Sequence, residues 1–224
     1  MTPFFLELVM SAGSVLDVGC GTGTLLHRAR ESGHRGRLCG LDPAAAMLTR
    51  ARRRRDITWI HGDLSRLPRA SSFDLIVMTG HAFQVLTEDE ELRTALATIR
   101  HALRDGGRFV FETRNPLVRP WERWTPDRAV EVTNVEGVTA RVAHEVELPV
   151  DGEVVRFSTT FGEPGADRPR VSRSRLRFLG ADAIPRLLSD AGLTAAEQYG
   201  DWDRSPLTPD SPEIITVARP RPAP

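Results

Sequence analysis

Short apolar, β-branched runs alternate along the first half of the chain with stretches whose apolar residues recur every three or four positions. Ser14-Val15-Leu16-Asp17-Val18 reads as a strand closed by glycines, and Thr22 to Glu31 follows with helical spacing of Leu25, Leu26 and Ala29. Arg37 to Leu41 is a predicted strand, Ala44 to Arg54 a helix, and Ile57 to His61 and Phe73 to Met78 are two further strands. Glu88 to Arg104 has Leu92, Leu96, Ile99 and Leu103 on one stripe, a helix that Gly106-Gly107 should stop before a strand over Arg108 to Thr113. This alternation predicts an α/β fold, a doubly wound and mostly parallel sheet covered on both faces. Ligands of such sheets gather at the carboxyl ends of the strands.

Beyond Pro116 the period becomes two. Val138, Ala140, Val142, His144, Val146 and Leu148 share one face, Asp151-Gly152 predicts a hairpin turn, and Val155, Phe157 and Phe161 alternate on the return strand. A third strand, Val171 to Phe178, sets Arg173, Arg175 and Arg177 against Ser172, Ser174, Leu176 and Phe178. The pattern predicts an antiparallel sheet inserted after the fifth strand. Helical spacing resumes from Ala181 to Ala191, stopped by Gly192, and strands follow near Leu193 to Tyr199 and from Glu213 to Ala218. The expected organisation is a core made by residues 1–115 and 179–219, an inserted antiparallel β lid over 116–178, and a disordered tail at 220–224.

Composition removes several function classes. At 224 residues, 40% hydrophobic and 27% charged, the chain suits one globular α/β domain with a modest insertion. Thirty basic side chains balance thirty acidic ones, which leaves no electrostatic footprint for nucleic acid or an anionic membrane. The chain has no lysine, so Schiff-base chemistry and lysine-dependent phosphoryl transfer are excluded. Cys20 and Cys39 are too few for a disulfide framework or a thiolate zinc site, no metal site is expected, and the pair suits a reducing cytoplasm. The apolar start, Met1 to Met10, has no basic flank and is interrupted by Glu7 well short of a membrane span, so a soluble cytoplasmic protein is expected.

The most informative stretch is Val15-Leu16-Asp17-Val18-Gly19-Cys20-Gly21-Thr22-Gly23. Alternate glycines between a strand and a helix permit a sharp turn and leave no Cβ to obstruct a ligand lying across it. A dinucleotide fingerprint needs a further glycine where Thr24 stands, so the spacing favours a nucleoside that is not a dinucleotide. Asp42, closing the second strand in Gly40-Leu41-Asp42-Pro43, could accept both hydroxyls of a ribose or cap the helix after it. Asp63, in His61-Gly62-Asp63-Leu64, could accept from an adenine amine or serve as a cap.

With these residues the chain resembles the class I S-adenosylmethionine-dependent methyltransferases of small-molecule type. The matching pieces are Val15 to Gly23, Gly40 to Met47 with its Asp-Pro-x-x-x-Met-Leu spacing, Gly62-Asp63, Phe73 to Val77, Leu103 to Phe111, and the closing Gly200 to Asp203 and Pro209 to Glu213. The resemblance implies a seven-stranded sheet with its last strand antiparallel, and S-adenosyl-L-methionine as cofactor. It implies that Gly19, Gly21 and Gly23 flank the methionine part, that Asp17 helps hold its amino group, that Asp42 takes the ribose, and that Asp63 and Leu64 take the adenine. Met47 and Thr79 fall on further cofactor-binding positions. Two departures stand out. Only Pro3 to Met10 precede the first strand where the family has a longer helical cover, as a truncated or reassigned start would leave it. The fourth-strand end, Thr79-Gly80-His81-Ala82-Phe83-Gln84, lacks the Asn/Asp-Pro-Pro-Tyr signature of nucleobase and glutamine methylation.

Methyl transfer needs an acceptor lone pair in line with carbon and sulfur, and a base only where the acceptor is protonated. His81, just past the fourth strand, is the candidate base, with loop hydrogen bonding as its structural alternative. Arg114 with Asn115, Trp121, Trp124 and His144 are candidate acceptor-binding residues, each with a packing or loop-bonding alternative. Arg52 to Arg55 read as a solvated helix end. The expectation is an enzyme that methylates an oxygen or nitrogen of a small-molecule acceptor. The alternative is an S-adenosylmethionine-binding regulatory or scaffold protein without turnover, and a Rossmann-type oxidoreductase is disfavoured by Thr24.

Overall fold

Buried apolar runs form the strands, and the amphipathic stretches between them cover both faces. The structure, a computed structural model, describes residues 3–68, 70–133, 137, 139–150, 152–162 and 169–221. In the core, α1 (Pro3–Met10), β1 (Ser14–Val18), α2 (Thr24–Glu31), β2 (Arg37–Asp42), α3 (Ala45–Ala51) and β3 (Thr58–His61) come first. They are followed by β4 (Phe73–Met78), α4 (Asp89–Ala102) and β5 (Leu103–Arg114). The second sheet contains β6 (Val130–Thr133), β7 (Thr139–Val146), β8 (Val154–Gly162) and β9 (Arg170–Arg177), after which α5 (Ala183–Asp190), β10 (Leu193–Tyr199) and β11 (Glu213–Pro220) complete the core.

The core sheet has seven strands in the order β10-β11-β5-β4-β1-β2-β3, parallel from β3 to β5, with β11 antiparallel to both its neighbours. Phe4, Phe5, Leu25 and Leu26 cover one face, where they meet Val15, Leu75 and Val110. Leu92, Leu96, Ile99, Ile184 and Leu188 cover the other, over Leu16, Ile76, Phe109 and Phe111. Strand order reverses between β1 and β4, and the crevice outside their carboxyl ends is where an open sheet of this kind binds ligands.

Several boundaries differ from the sequence pattern. The long helix ends at Ala102 rather than Arg104, because Leu103 turns extended and pairs with Phe73. Gly106 and Gly107 therefore lie within the opening of β5 instead of capping the helix. The period-two region holds a fourth strand, β6, paired with β7, and three short 3-10 turns after Pro116, Pro120 and Pro126. Leu148 lies beyond β7 and is 82% exposed, so it does not share the strand's face; Val138 and Asp151 lie outside the described residues. At the end of the chain, Pro220 closes β11 and the Arg221 N–H donates to the Gly192 carbonyl at 2.9 Å, so these two positions of the expected tail are paired. Residues 222–224 lie outside the described part.

The second sheet meets the core at the β4–α4 connection. Gln84 Nε2 donates to the Arg177 carbonyl, Arg177 pairs with Asp89 at the start of α4, and Phe178 packs edge-on against Trp121 at 4.6 Å. Among the described residues no helix is long and apolar enough to cross a membrane.

Candidate active site

The glycine turn after β1 divides its work among its three glycines. A Cβ on Gly23 (φ +76°) would lie 2.3 Å from the Trp59 ring and one on Gly19 (φ +75°) 2.8 Å from the Ala82 Cβ, so both positions combine left-handed backbone with close packing. A Cβ on Gly21 would meet no protein atom within 4 Å, yet the residue has φ +56°, which side-chain-bearing residues rarely adopt. Gly21 thus presents bare backbone to open space at the switch point. Asp42 fixes that loop: Oδ2 accepts from the Gly21 N–H at 2.8 Å, and Oδ1 accepts from the Ala44 N–H at 2.7 Å. Each carboxylate oxygen keeps a second lone pair for a hydroxyl.

Two buried acids stand behind this loop. Asp17, on β1, is fully buried, its Oδ1 has no hydrogen-bond partner among the described residues, and its carboxyl is pushed up to about 7 by burial first and then by Glu112 and Asp42. Glu112, near the end of β5, accepts through Oε1 from the Gly80 N–H at 2.6 Å and the His81 N–H at 3.2 Å, while its Oε2 has no partner among the described residues. Burial is the main cause raising its carboxyl, Glu213 adds to it, and the nearby His81 opposes it. Two orphaned acidic oxygens beside bare glycine backbone fit a ligand that brings a cationic group. The α-ammonium and sulfonium of S-adenosylmethionine are such groups.

His81 follows β4 in a left-handed conformation, φ 63°, and its Nε2 lies 3.0 Å from both oxygens of Glu213, at the start of β11. An ionised Glu213 keeps the proton on Nε2 and leaves the Nδ1 lone pair as the acceptor. Thr79, half-buried, bonds through its carbonyl to the Ala82 N–H at 3.3 Å.

The remaining expected site residues fall into three groups. Asp63 is exposed and caps a 3-10 turn through Ser65 (2.9 Å to the N–H), while Leu64 packs against the core beneath that turn. Met47, on α3, is 46% exposed. The Arg114 guanidinium lies 5.4 Å from the Trp124 ring, and Trp124 stands 4.8 Å from Phe157 and 6.1 Å from His144. His144 Nδ1 bonds Thr159 Oγ1 at 2.9 Å, and burial, followed by the Arg114 charge, pulls its imidazole down. Asn115 is buried and donates to the carbonyls of Pro209 and Ser211. Glu112 and Glu213 were not singled out from sequence. Their signal is an acid set among otherwise apolar strand residues, Phe109-Val110-Phe111-Glu112 and Glu213-Ile214-Ile215, the same signal that marks Asp17 in Val15-Leu16-Asp17-Val18.

A family model described as a methyltransferase domain matches residues 15–107, from β1 into β5. The cypemycin N-terminal methyltransferase of a Streptomyces species is 33% identical over 207 residues, covering 91% of this chain and 82% of that protein. The chain belongs to the class I S-adenosylmethionine-dependent methyltransferases. A second methyltransferase relative, the dTDP-3-amino-3,4,6-trideoxy-α-D-glucopyranose N,N-dimethyltransferase of Streptomyces venezuelae, is 34% identical over 165 residues; the match spans 69% of this chain and 63% of that relative's length. The crystal structure of DesVI from Streptomyces venezuelae superposes with a TM-score of 0.69 at 25% identity, covering 96% of this chain and 88% of that one. As a class I methyltransferase the protein uses S-adenosyl-L-methionine and transfers its methyl group to a nitrogen or oxygen of a small metabolite.

Proposed function

We propose that the acceptor atom is the nitrogen of a small-molecule amine. The observation that carries this reading is the His81–Glu213 pair, set beside the buried carboxyls of Glu112 and Asp17. An acid-rich pocket favours an ammonium over a neutral hydroxyl, and an imidazole oriented by a carboxylate can remove the proton that blocks the nitrogen lone pair. The names of two relatives specify amine methylation, one at a peptide N-terminus and one on an amino sugar, and both agree with this reading.

When bound, S-adenosylmethionine supplies an electrophilic methyl whose C–S bond breaks as the N–C bond forms, its electron pair leaving on sulfur. The residues of this chain do the rest. Asp42 takes the ribose hydroxyls, Asp63 and Leu64 the adenine, and Gly19, Gly21 and Gly23 flank the methionine part. Met47 and Thr79 line the same cleft, and Asp17 pairs with the α-ammonium. His81 Nδ1 receives the amine proton, and Glu213 stabilises the imidazolium that results. The described residues of the inserted segment cover the acceptor, and Trp121, Trp124 and His144 from that segment bind it together with Arg114 of the core. The pocket takes no nucleic acid, and the two buried free thiols, Cys20 and Cys39, suit a reducing cytoplasm.

The test is product chemistry. Methyl-labelled S-adenosylmethionine is incubated with the full chain and matched panels of small primary amines and alcohols. Label on nitrogen supports the reading; label confined to oxygen, or binding of S-adenosylmethionine without transfer to either panel, overturns it.

A further inference from the structure

Arg114 and Glu213 face each other directly across β5 and β11, a register that ordinarily lets opposite charges pair across antiparallel strands. Here Glu213 is turned to His81, with both oxygens 3.0 Å from Nε2. Arg114 forms no ion pair among the described residues. Its guanidinium donates through Nη1 to Gln84 Oε1 at 3.1 Å and lies over Trp124, which leaves most of its five N–H groups unmatched among the described residues. Arg114 is half-buried; burial draws its guanidinium down from the ordinary value, while the charges of Glu213 and Glu112 oppose that shift without engaging its N–H groups.

Those unmatched donors border a cavity of about 250 Å³ lined by Arg114, Val118, Pro120, Arg123, Asp210 and Glu213. Arg123 is exposed at the mouth and forms no ion pair among the described residues, and Asp210 is exposed at the rim. The wall therefore offers one half-buried cation, a second cation at the entrance, a solvated carboxylate at the rim, and a carboxylate already engaged by the proposed base. The volume suits a compact group of a few heavy atoms. A planar guanidinium fork matches an oxyanion, carboxylate or phosphate, in two parallel hydrogen bonds.

We infer that this cavity is an oxyanion subsite of the acceptor pocket, in which Arg114, with Arg123 at the mouth, receives a carboxylate or phosphate group carried by the acceptor. The inference rests on the amine reading above and sharpens it: the substrate class is a small amine bearing an anionic group, held so that the nitrogen lies at His81 and the anion at Arg114. The subsite also explains why the Glu213–Arg114 pair is not made. Glu213 is reserved for the imidazole and Arg114 for the substrate.

Acetate and inorganic phosphate serve as probes, titrated separately by calorimetry into the full chain saturated with S-adenosylhomocysteine in chloride buffer. At least one anion is expected to bind. Arg114→Gln should weaken that binding by about tenfold or more, the loss of a charge-assisted bidentate contact, and Arg114→Lys by less, with the S-adenosylhomocysteine affinity unchanged in both. Arg123→Gln, at an exposed position that folding does not depend on, should weaken binding by about threefold, as a partly screened charge would. Phosphate binding alone marks phosphorylated amines as the acceptors, and acetate binding alone marks carboxylated ones. The inference is overturned if neither anion binds the wild type, or if the Gln variants at 114 and 123 both keep the affinity within about twofold. The two readings fail separately: anion binding without nitrogen methylation sinks the amine assignment, and nitrogen methylation without anion binding sinks only the subsite.

Discussion

Asp17 combines complete burial with an oxygen that no donor meets, and the direction of its titration gives two linked predictions. Its carboxyl is pushed up to about 7 in the folded chain, against an ordinary value of 3.8. The folded state therefore holds the proton more tightly than the unfolded chain, and stability is lost as pH rises from about 4 through 7. Asp17→Asn should be the more stable protein above pH 7, by on the order of 2–4 kcal/mol, with the gap closing toward pH 4, as read by denaturant titration. Ligand binding moves the other way. Ionised Asp17 attracts an ammonium, so wild-type affinity for S-adenosylhomocysteine should rise between pH 6 and 8, and that rise should vanish in Asp17→Asn. A variant that is less stable at pH 8, or one with the wild-type pH slope, contradicts the assignment. Asp42 makes a separate case. Asp42→Ala removes the acceptor of the Gly21 and Ala44 N–H groups and, on the proposed reading, of the ribose, and should reduce S-adenosylmethionine affinity by roughly 1.5–3 kcal/mol. A loss under about threefold, less than 1 kcal/mol, would show that Asp42 only shapes the loop.

At the scale of elements, the turn after β1 was legible because its glycines are required by two different constraints that share one spelling. Both Gly21 and Gly23 have left-handed backbone, but Gly23 also yields to the Trp59 ring while Gly21 faces open space, and only the structure separates them. Gly21→Val should therefore fold, with a penalty of about 1–3 kcal/mol for the forced conformation, and lose cofactor binding. Thermal unfolding and calorimetry on the same sample decide it, since retained binding would make the turn purely structural. The core strands were readable from their own pattern: the apolar run Phe73–Met78 lies where the pattern puts it, and so does the more polar strand Leu193–Tyr199. The start of β5 was not, because Leu103 continues the helical stripe in sequence while its backbone pairs with Phe73 across the sheet. β6 was also missed. Val130-Glu131-Val132-Thr133 is too short and too exposed to stand out, and only pairing with β7 makes it a strand. The partner of His81 was invisible for a topological reason: Glu213 lies 132 positions from His81 and reaches it only because β11 folds back beside β5.

Across the whole molecule, formal charge sums to zero, yet Asp17, Glu112 and Glu213 gather near the carboxyl ends of the central strands while most arginines remain exposed. That separation, invisible in the composition, builds a pocket for cations inside a neutral protein. It accounts together for the methyl donor, the amine and the oriented imidazole, and it makes His81 the residue on which the proposed reaction turns. The most direct test is single-turnover methyl transfer to an amine found in the labelling panel, with wild type, His81→Ala and Glu213→Gln saturated with S-adenosylmethionine across pH 5.5 to 8.5. The account predicts that His81→Ala slows the chemical step by about 10² to 10⁴, as loss of a general base does, and abolishes the acidic limb of the profile. Glu213→Gln should slow it less, and both variants should bind S-adenosylmethionine as tightly as wild type. A wild-type rate and pH profile in His81→Ala would contradict the account.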